Sequence, residues 1–206
     1  MEVMGSASDI PGPTVDDSAA VIDVLWVPLG AGQRVVRTSG WIYEALIAAV
    51  QRRPRCALYH SALVVHLPEG TVVVEVAPVP DGDGASRGVV GEGAVGLSVL
   101  GRSRLFRYEV RRWLHGTIPD AHFATIVHHV EVSLERARHL LDLAPEAPTP
   151  VWGRDEFDVG DMWNSNSVTS WLLVSAGLDT SVLGPPPGGR GPGWDAGLAI
   201  GGRQHG

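Results

Sequence analysis

Residues 58–77 constrain the fold more than any other stretch. Leu58 to His66 and Thr71 to Ala77 are rich in β-branched residues, with Pro68–Glu69–Gly70 between them. Two such runs joined by a short turn pair as an antiparallel hairpin, because a parallel pairing needs a long crossover. If the loop has an even number of residues, His60 and Glu75 lie on the same face. With Leu67 to Gly70 as the loop, Ala62 stands opposite Glu75 and His60 is its diagonal neighbour. Diagonal partners lie roughly 7–8 Å apart, within reach of side chains this long. A six-residue loop would set His60 directly opposite Glu75. A carboxylate beside an imidazole fixes its tautomer and raises its basicity. The alternative is a surface cross-strand pair.

Further strands flank the hairpin. Val21 to Val27 reads as a short buried strand closed by Pro28. Val89 to Leu97, Leu105 to Trp113 and Phe123 to Val132 add three more, the first of them set in a Gly-rich surface loop over residues 78–104. Helices are expected over Trp41 to Arg53, capped by Thr38 or Ser39 and stopped by Pro54, and over Leu134 to Leu143, capped by Ser133. A last helix starts near Asn164–Ser165 and ends at Gly177, with Val168, Trp171, Leu172 and Ala176 at helical spacing. Consecutive strands joined by short turns make this an α+β domain: an antiparallel sheet packed against helices. Residues 1–20 read as a disordered N-terminal segment and 21–183 as a single domain. Residues 184–206 read as an irregular Pro/Gly-rich tail that Trp194 can pin to the body.

Composition excludes several chemistries. All 16 basic residues are Arg, and the chain contains no Lys. A P-loop and a Schiff base both need that Lys. With Cys56 as the single cysteine, neither an intrachain disulfide nor a multi-thiolate zinc site can form. A net charge of −7 argues against sequence-independent nucleic-acid binding. The stretch Arg102, Arg104, Arg107, Arg111, Arg112 reads as an exposed strand face. No run is long and apolar enough to span a membrane and the N-terminus lacks a secretory pattern, so a soluble, cytoplasmic protein is expected.

No metal and no cofactor are expected. The eight histidines show no H-E-x-x-H or comparable spacing, and His128 and His129, adjacent on a strand, point to opposite faces. His128 shares the apolar face of Ile126 and Val130 and reads as a core histidine. Asp155, Glu156, Asp158 and Asp161 read as a solvated acidic loop, with Asp161 able to line a cleft.

Asn164–Ser165–Asn166–Ser167 opens the last helix. Asn and Ser are preferred N-cap residues, but a cap needs only one of them. A second reading places a Ser hydroxyl at the positive helix end, where an oxyanion is stabilised. Such a hydroxyl needs a base, and His60 is the base already posed with a partner.

A His on one hairpin strand, a polar residue on the next, and Asn–nucleophile opening a later helix resembles the circularly permuted papain-like superfamily, which includes cell-wall peptidases and lecithin retinol acyltransferase-like proteins. The resemblance covers roughly residues 56–178. Ser165 stands at the position of the family's Cys, with Val168 the apolar residue three positions on; His60 matches the family histidine and Glu75 the polar third member. It implies a hydrolase or acyltransferase acting on an amide or ester bond of a peptide or acyl-type small substrate. In that reading Ser165 attacks, His60 moves the proton and Glu75 orients His60. Asn164, Asn166 and Ser167 would line the oxyanion site, with Ser167 a fallback nucleophile, and Trp163 and Trp194 would wall the pocket. Gly191 to Trp194 would be a lid or clasp. The departure is the hydroxyl in place of a thiol. The alternatives are a catalytically inactive module that binds a peptide or partner protein, and a structural or assembly protein. Cys56 precedes the strand and heads no helix.

Overall fold

A computed structural model of the chain describes residues 19–29, 56–78, 88–103, 106–118 and 121–203. The expected helix over Trp41 to Arg53, the segment before residue 19 and residues 79–87 of the Gly-rich stretch lie outside the described residues. The strands are β1 (Ala19–Pro28), β2 (Ala57–Leu67), β3 (Gly70–Pro78), β4 (Val89–Ala94), β5 (Arg107–Leu114), β6 (Ile126–Ser133) and the short β7 (Gly189–Arg190). The helices are α1 (Leu134–Leu143), α2 (Ser165–Ser175) and α3 (Trp194–Arg203). The strands run in the order β4-β5-β3-β2-β1-β6, every neighbouring pair antiparallel, and β7 pairs parallel with β2. The class is α+β.

The hairpin turns more tightly than the loop read from the sequence. Leu67 pairs with Gly70 across Pro68–Glu69, and the register continues through Val65–Val72 to Leu63–Val74. This is the register that the loop Leu67 to Gly70 implies. Gly70 lies at φ 141°, and a Cβ there would meet the His115 ring 2.6 Å away, so a side chain is excluded.

One face of the sheet carries Ile22, Val24 and Trp26 of β1, Leu63 and Val65 of β2, Val72 and Val74 of β3, and Tyr108 and Val110 of β5. The helices cover this face with Leu140 of α1, Val168, Trp171 and Leu172 of α2, and Trp194 and Ile200 of α3. Ser133 caps α1, its Oγ accepting from Arg136 N at 3.2 Å. At the other end of α2, Gly177 at φ 72° closes a Schellman turn: Leu178 N donates to Leu173 O and Gly177 N to Val174 O, both at 3.0 Å.

The tail corrects the sequence reading. Residues beyond Gly184 form β7 and the helix α3. A Pro/Gly count misses this because Trp194, Ala196, Gly197 and Ile200 put small and apolar residues on one side of a helix after the last proline, Pro192. The Trp194 ring lies 4.9 Å from that of Trp26, and Trp26 Nε1 donates to Leu183 O at 2.9 Å. Ser170 Oγ of α2 donates to Trp194 O at 2.7 Å. Gly197 sits so near α2 that a Cβ would overlap Ser167 O and Ser170 Oγ, whereas nothing lies within 4 Å of one on Gly202.

Gly197→Ala is therefore expected to cost about 1–3 kcal/mol in urea unfolding, the usual penalty of forcing a methyl into a packed contact. Gly202→Ala is expected to be neutral or slightly stabilising.

Candidate functional site

The sheet is parted where the site residues lie. β2 and β3 pair only from Leu67–Gly70 to Leu63–Val74. Beyond that, β2 stays with β1 through Ser61, His60 and Tyr59, while β3 stays with β5 from Glu75 to Pro78. The head of α2 stands beside this split. Leu58 O accepts from Leu29 N at 2.8 Å, so Leu58 O faces β1 and the next carbonyl, Tyr59 O, faces the split. Asn166 Nδ2 donates to Tyr59 O at 3.0 Å and to Pro192 O at 2.8 Å, and Ser61 Oγ donates to Asn166 Oδ1 at 2.9 Å. The amide supplies the partner that a paired strand would have supplied.

The other polar residues at the head of α2 divide sharply. Asn164 is the N-cap: its Oδ1 accepts from Asn166 N at 2.9 Å and its Nδ2 donates to Pro192 O at 2.8 Å. Ser167 completes a capping box, its Oγ accepting from Asn164 N at 3.0 Å and lying 2.7 Å from Gly193 O and 3.1 Å from Met162 O. Ser167 is fully buried, with its proton committed to those carbonyls, so the fallback nucleophile of the sequence reading is a structural hydroxyl. Ser165 differs. It is 6% exposed, and its Oγ makes no hydrogen bond to the described residues. Because Asn164 takes the Asn166 and Ser167 N–H groups and Asn164 O takes Val168 N at 3.2 Å, the Ser165 N–H is the first-turn donor left over.

His60 is half-buried on β2, opposite Val27. Strand alternation sends its side chain to the face opposite that of Ser61, the face that also carries Glu75. The shared His60–Glu75 face is thus as expected. No hydrogen bond joins Ser165 to His60; what meets α2 on either side of His60 is the Tyr59 carbonyl and the Ser61 hydroxyl. Glu75 Oε1 accepts from Arg111 Nη1 at 3.4 Å, and Arg111 Nε donates to Glu109 Oε2 at 2.8 Å. Arg111 is buried, correcting the exposed arginine face read from the sequence. The signal was available: Glu109 and Arg111 are opposite charges two apart on a strand, hence on one face.

Two more expectations need revision, while the clasp reading of Gly191 to Trp194 holds. Trp163 is fully buried, edge-on to Phe157 at 5.2 Å, and Trp194 packs tilted against Trp26, so both are core residues and neither walls an open pocket. Asn164 and Asn166 spend their amides on structure. Gly191 to Trp194 is a clasp on α2, receiving both asparagines at Pro192 O. Asp161 ties it down, accepting from Gly193 N at 2.7 Å and Met162 N at 2.9 Å. Burial pushes the Asp161 carboxyl up from its ordinary value, against the pull of those two N–H groups. In the exposed acidic loop, Asp155 accepts from Val159 N and Gly160 N at 2.9 and 2.7 Å, and these bonds hold its carboxyl low.

Among the described residues, no group of three His, Cys, Asp or Glu side chains is placed to hold a metal. His128 Nε2 lies 3.2 Å from Gly184 O while His129 Nδ1 lies 2.6 Å from Asp23 Oδ1, on opposite faces of β6 as adjacent strand residues must. Cys56 precedes β2 and is partly buried. No helix among the described residues is long and apolar enough to cross a membrane. No family model, curated protein or solved structure matches the chain.

Asn166→Ala is expected to cost about 2–4 kcal/mol, because it strands Tyr59 O and Ser61 Oγ in a buried site and leaves Pro192 O to Asn164 alone. Ser165→Ala removes no bond and is expected within about 0.5 kcal/mol of wild type by the same urea measurement. Asp161 predicts a pH dependence. Its raised pKa means the folded chain holds that proton more tightly than the unfolded one, so its contribution is present at acid pH and lost as pH rises through the raised value. The urea midpoint of Asp161→Asn relative to wild type is expected to climb as the pH rises above the ordinary carboxylate pKa.

Proposed function

We propose that the head of α2 is an acyl-transfer site of permuted papain-like layout, acting on the amide or ester bond of a peptide or acyl-type small substrate in a cytoplasmic setting. One observation carries this reading: at the split, the strand of His60 and the head of α2 are bound directly together, and Ser165 Oγ is the hydroxyl there with no hydrogen bond to the described residues. In the proposed reaction Ser165 Oγ bonds to the carbonyl carbon as its proton passes to His60, the leaving group departs with that proton, and water or an acceptor alcohol or amine then takes the acyl group by the same route. The Ser165 N–H, at the positive end of α2, faces the developing oxyanion. His60 stands on the far face of β2 from Ser61 and α2, so the proton transfer takes the imidazole round through the split, where β3 no longer pairs with β2. Glu75, paired with Arg111 at 3.4 Å, shares a face with the imidazole.

A second reading has a specific observation behind it. The Asn164 side chain consumes two of the first-turn N–H groups, and the Glu75 carboxylate is engaged by Arg111. A site so arranged suits a catalytically inactive module that holds a peptide at the same split.

A fluorophosphonate probe separates the two. The acyl-transfer reading predicts covalent labelling of the wild-type chain, abolished in Ser165→Ala and strongly reduced in His60→Ala. Absence of labelling in every form, together with saturable binding of unmodified peptide, contradicts it and establishes the binding module.

A further inference from the structure

The two outer strands of the sheet differ in how they are guarded. β4 carries Gly91 and Gly93, and its ladder with β5 shifts register between Val89 and Gly91. A bulge and glycines twist an edge away from new partners. β6 has none of these devices. Its eight residues, IVHHVEVS, contain no Pro, Gly or Lys, run in unbroken register against β1, and have no strand on their outer side among the described residues. Val127, His129, Glu131 and Ser133 on one face are exposed. An edge of this kind is a template for another strand.

Geometry limits what fits. Backbone N–H and C=O groups point outward at every second residue of β6, so two copies pairing antiparallel must bring residues of like parity together. The registers that keep at least five of the eight residues are then four, centred on His128, His129, Val130 or Glu131. Centring on His128 or His129 opposes two imidazoles, and centring on Glu131 opposes two carboxylates. Centring on Val130 sets His129 opposite the second copy's Glu131, twice by symmetry, and Val127 opposite Ser133. Opposite charges across strands stabilise pairing and like charges oppose it. Asp23 already prepares His129: its Oδ1 holds Nδ1 at 2.6 Å while its Oδ2 holds His66 Nε2 at 2.9 Å. That leaves Nε2 of His129 for a second carboxylate, and a protonated imidazole donates from both nitrogens.

We propose that β6 is a self-recognition edge: two copies of this chain join antiparallel about Val130, with His129 of each facing Glu131 of the other, continuing the sheet across a two-fold axis. This is independent of the acyl-transfer site. A two-fold, self-complementary contact of this kind closes at a dimer.

Sedimentation of the full chain over a concentration series tests it. A reversible dimer is expected. Glu131→Arg, which touches no hydrogen bond among the described residues, is expected to weaken it at least tenfold by opposing two cations, and His129→Glu combined with Glu131→Arg is expected to restore it. Register is read by oxidative cross-linking in a Cys56→Ser background: Val130→Cys forms a disulfide-linked dimer and Val132→Cys does not. A monomer at every concentration, a dimer indifferent to Glu131→Arg, or cross-linking at Val132 in preference to Val130 overturns the proposal.

Discussion

The Asn166 side chain sets how far the sheet stays open. A strand that loses its neighbour exposes carbonyls, and a buried carbonyl without a partner is costly. β2 loses β3 below Leu63, inside the molecule, and the Asn166 amide answers Tyr59 O there while accepting from Ser61 and donating to Pro192 O. Both amide hydrogens and the amide oxygen are used. A hydrophobic residue of that size would fill the space and leave Tyr59 O and Ser61 Oγ unsatisfied, so the split depends on this one side chain.

The rest of the helical layer follows from that anchor. Asn166 draws the 192 carbonyl toward α2, Asn164 takes the same carbonyl, Ser167 meets Gly193 O, and Asp161 closes the loop from the other side. This clasp delivers Trp194 to Trp26 and starts α3 where Gly197 can pass close to α2. Ser165 is the member of the quartet that none of these bonds uses. A cap alone does not need a second serine, and a network that satisfies three neighbours while sparing Ser165 Oγ is what a reacting hydroxyl requires.

Much of this was readable from residue order. The hairpin follows from Pro68–Glu69–Gly70 between two strand-like runs, and an even-length loop there gives the shared face of His60 and Glu75, while the choice between the four-residue and six-residue registers came from the structure. Ser133 and Gly177 announced the ends of their helices by ordinary capping chemistry. The parting of β2 from β3 was not readable, because no proline, glycine or turn residue interrupts either run at Leu63 or Val74 and the partner that meets the freed Tyr59 O, Asn166, lies about a hundred residues away. Arg111 looked exposed because a charge is assumed to seek water, although two glutamates on its face compensate it. Trp163 and Trp194 were assigned to a pocket from their irregular sequence surroundings, yet large aromatic rings in a chain this size are drawn into the core first. The helix α3 was hidden by proline and glycine counts that Pro192 marks the end of.

The anchor role of Asn166 is tested most directly by a double-mutant cycle on Ser61→Ala and Asn166→Ala, with unfolding free energies from urea titration. A buried hydrogen bond linking β2 to α2 predicts a coupling of about 1 kcal/mol or more between the two positions, since each substitution removes the same bond. Additive costs, with coupling within about 0.3 kcal/mol of zero, would contradict the account and place the cause of the split elsewhere in the sheet.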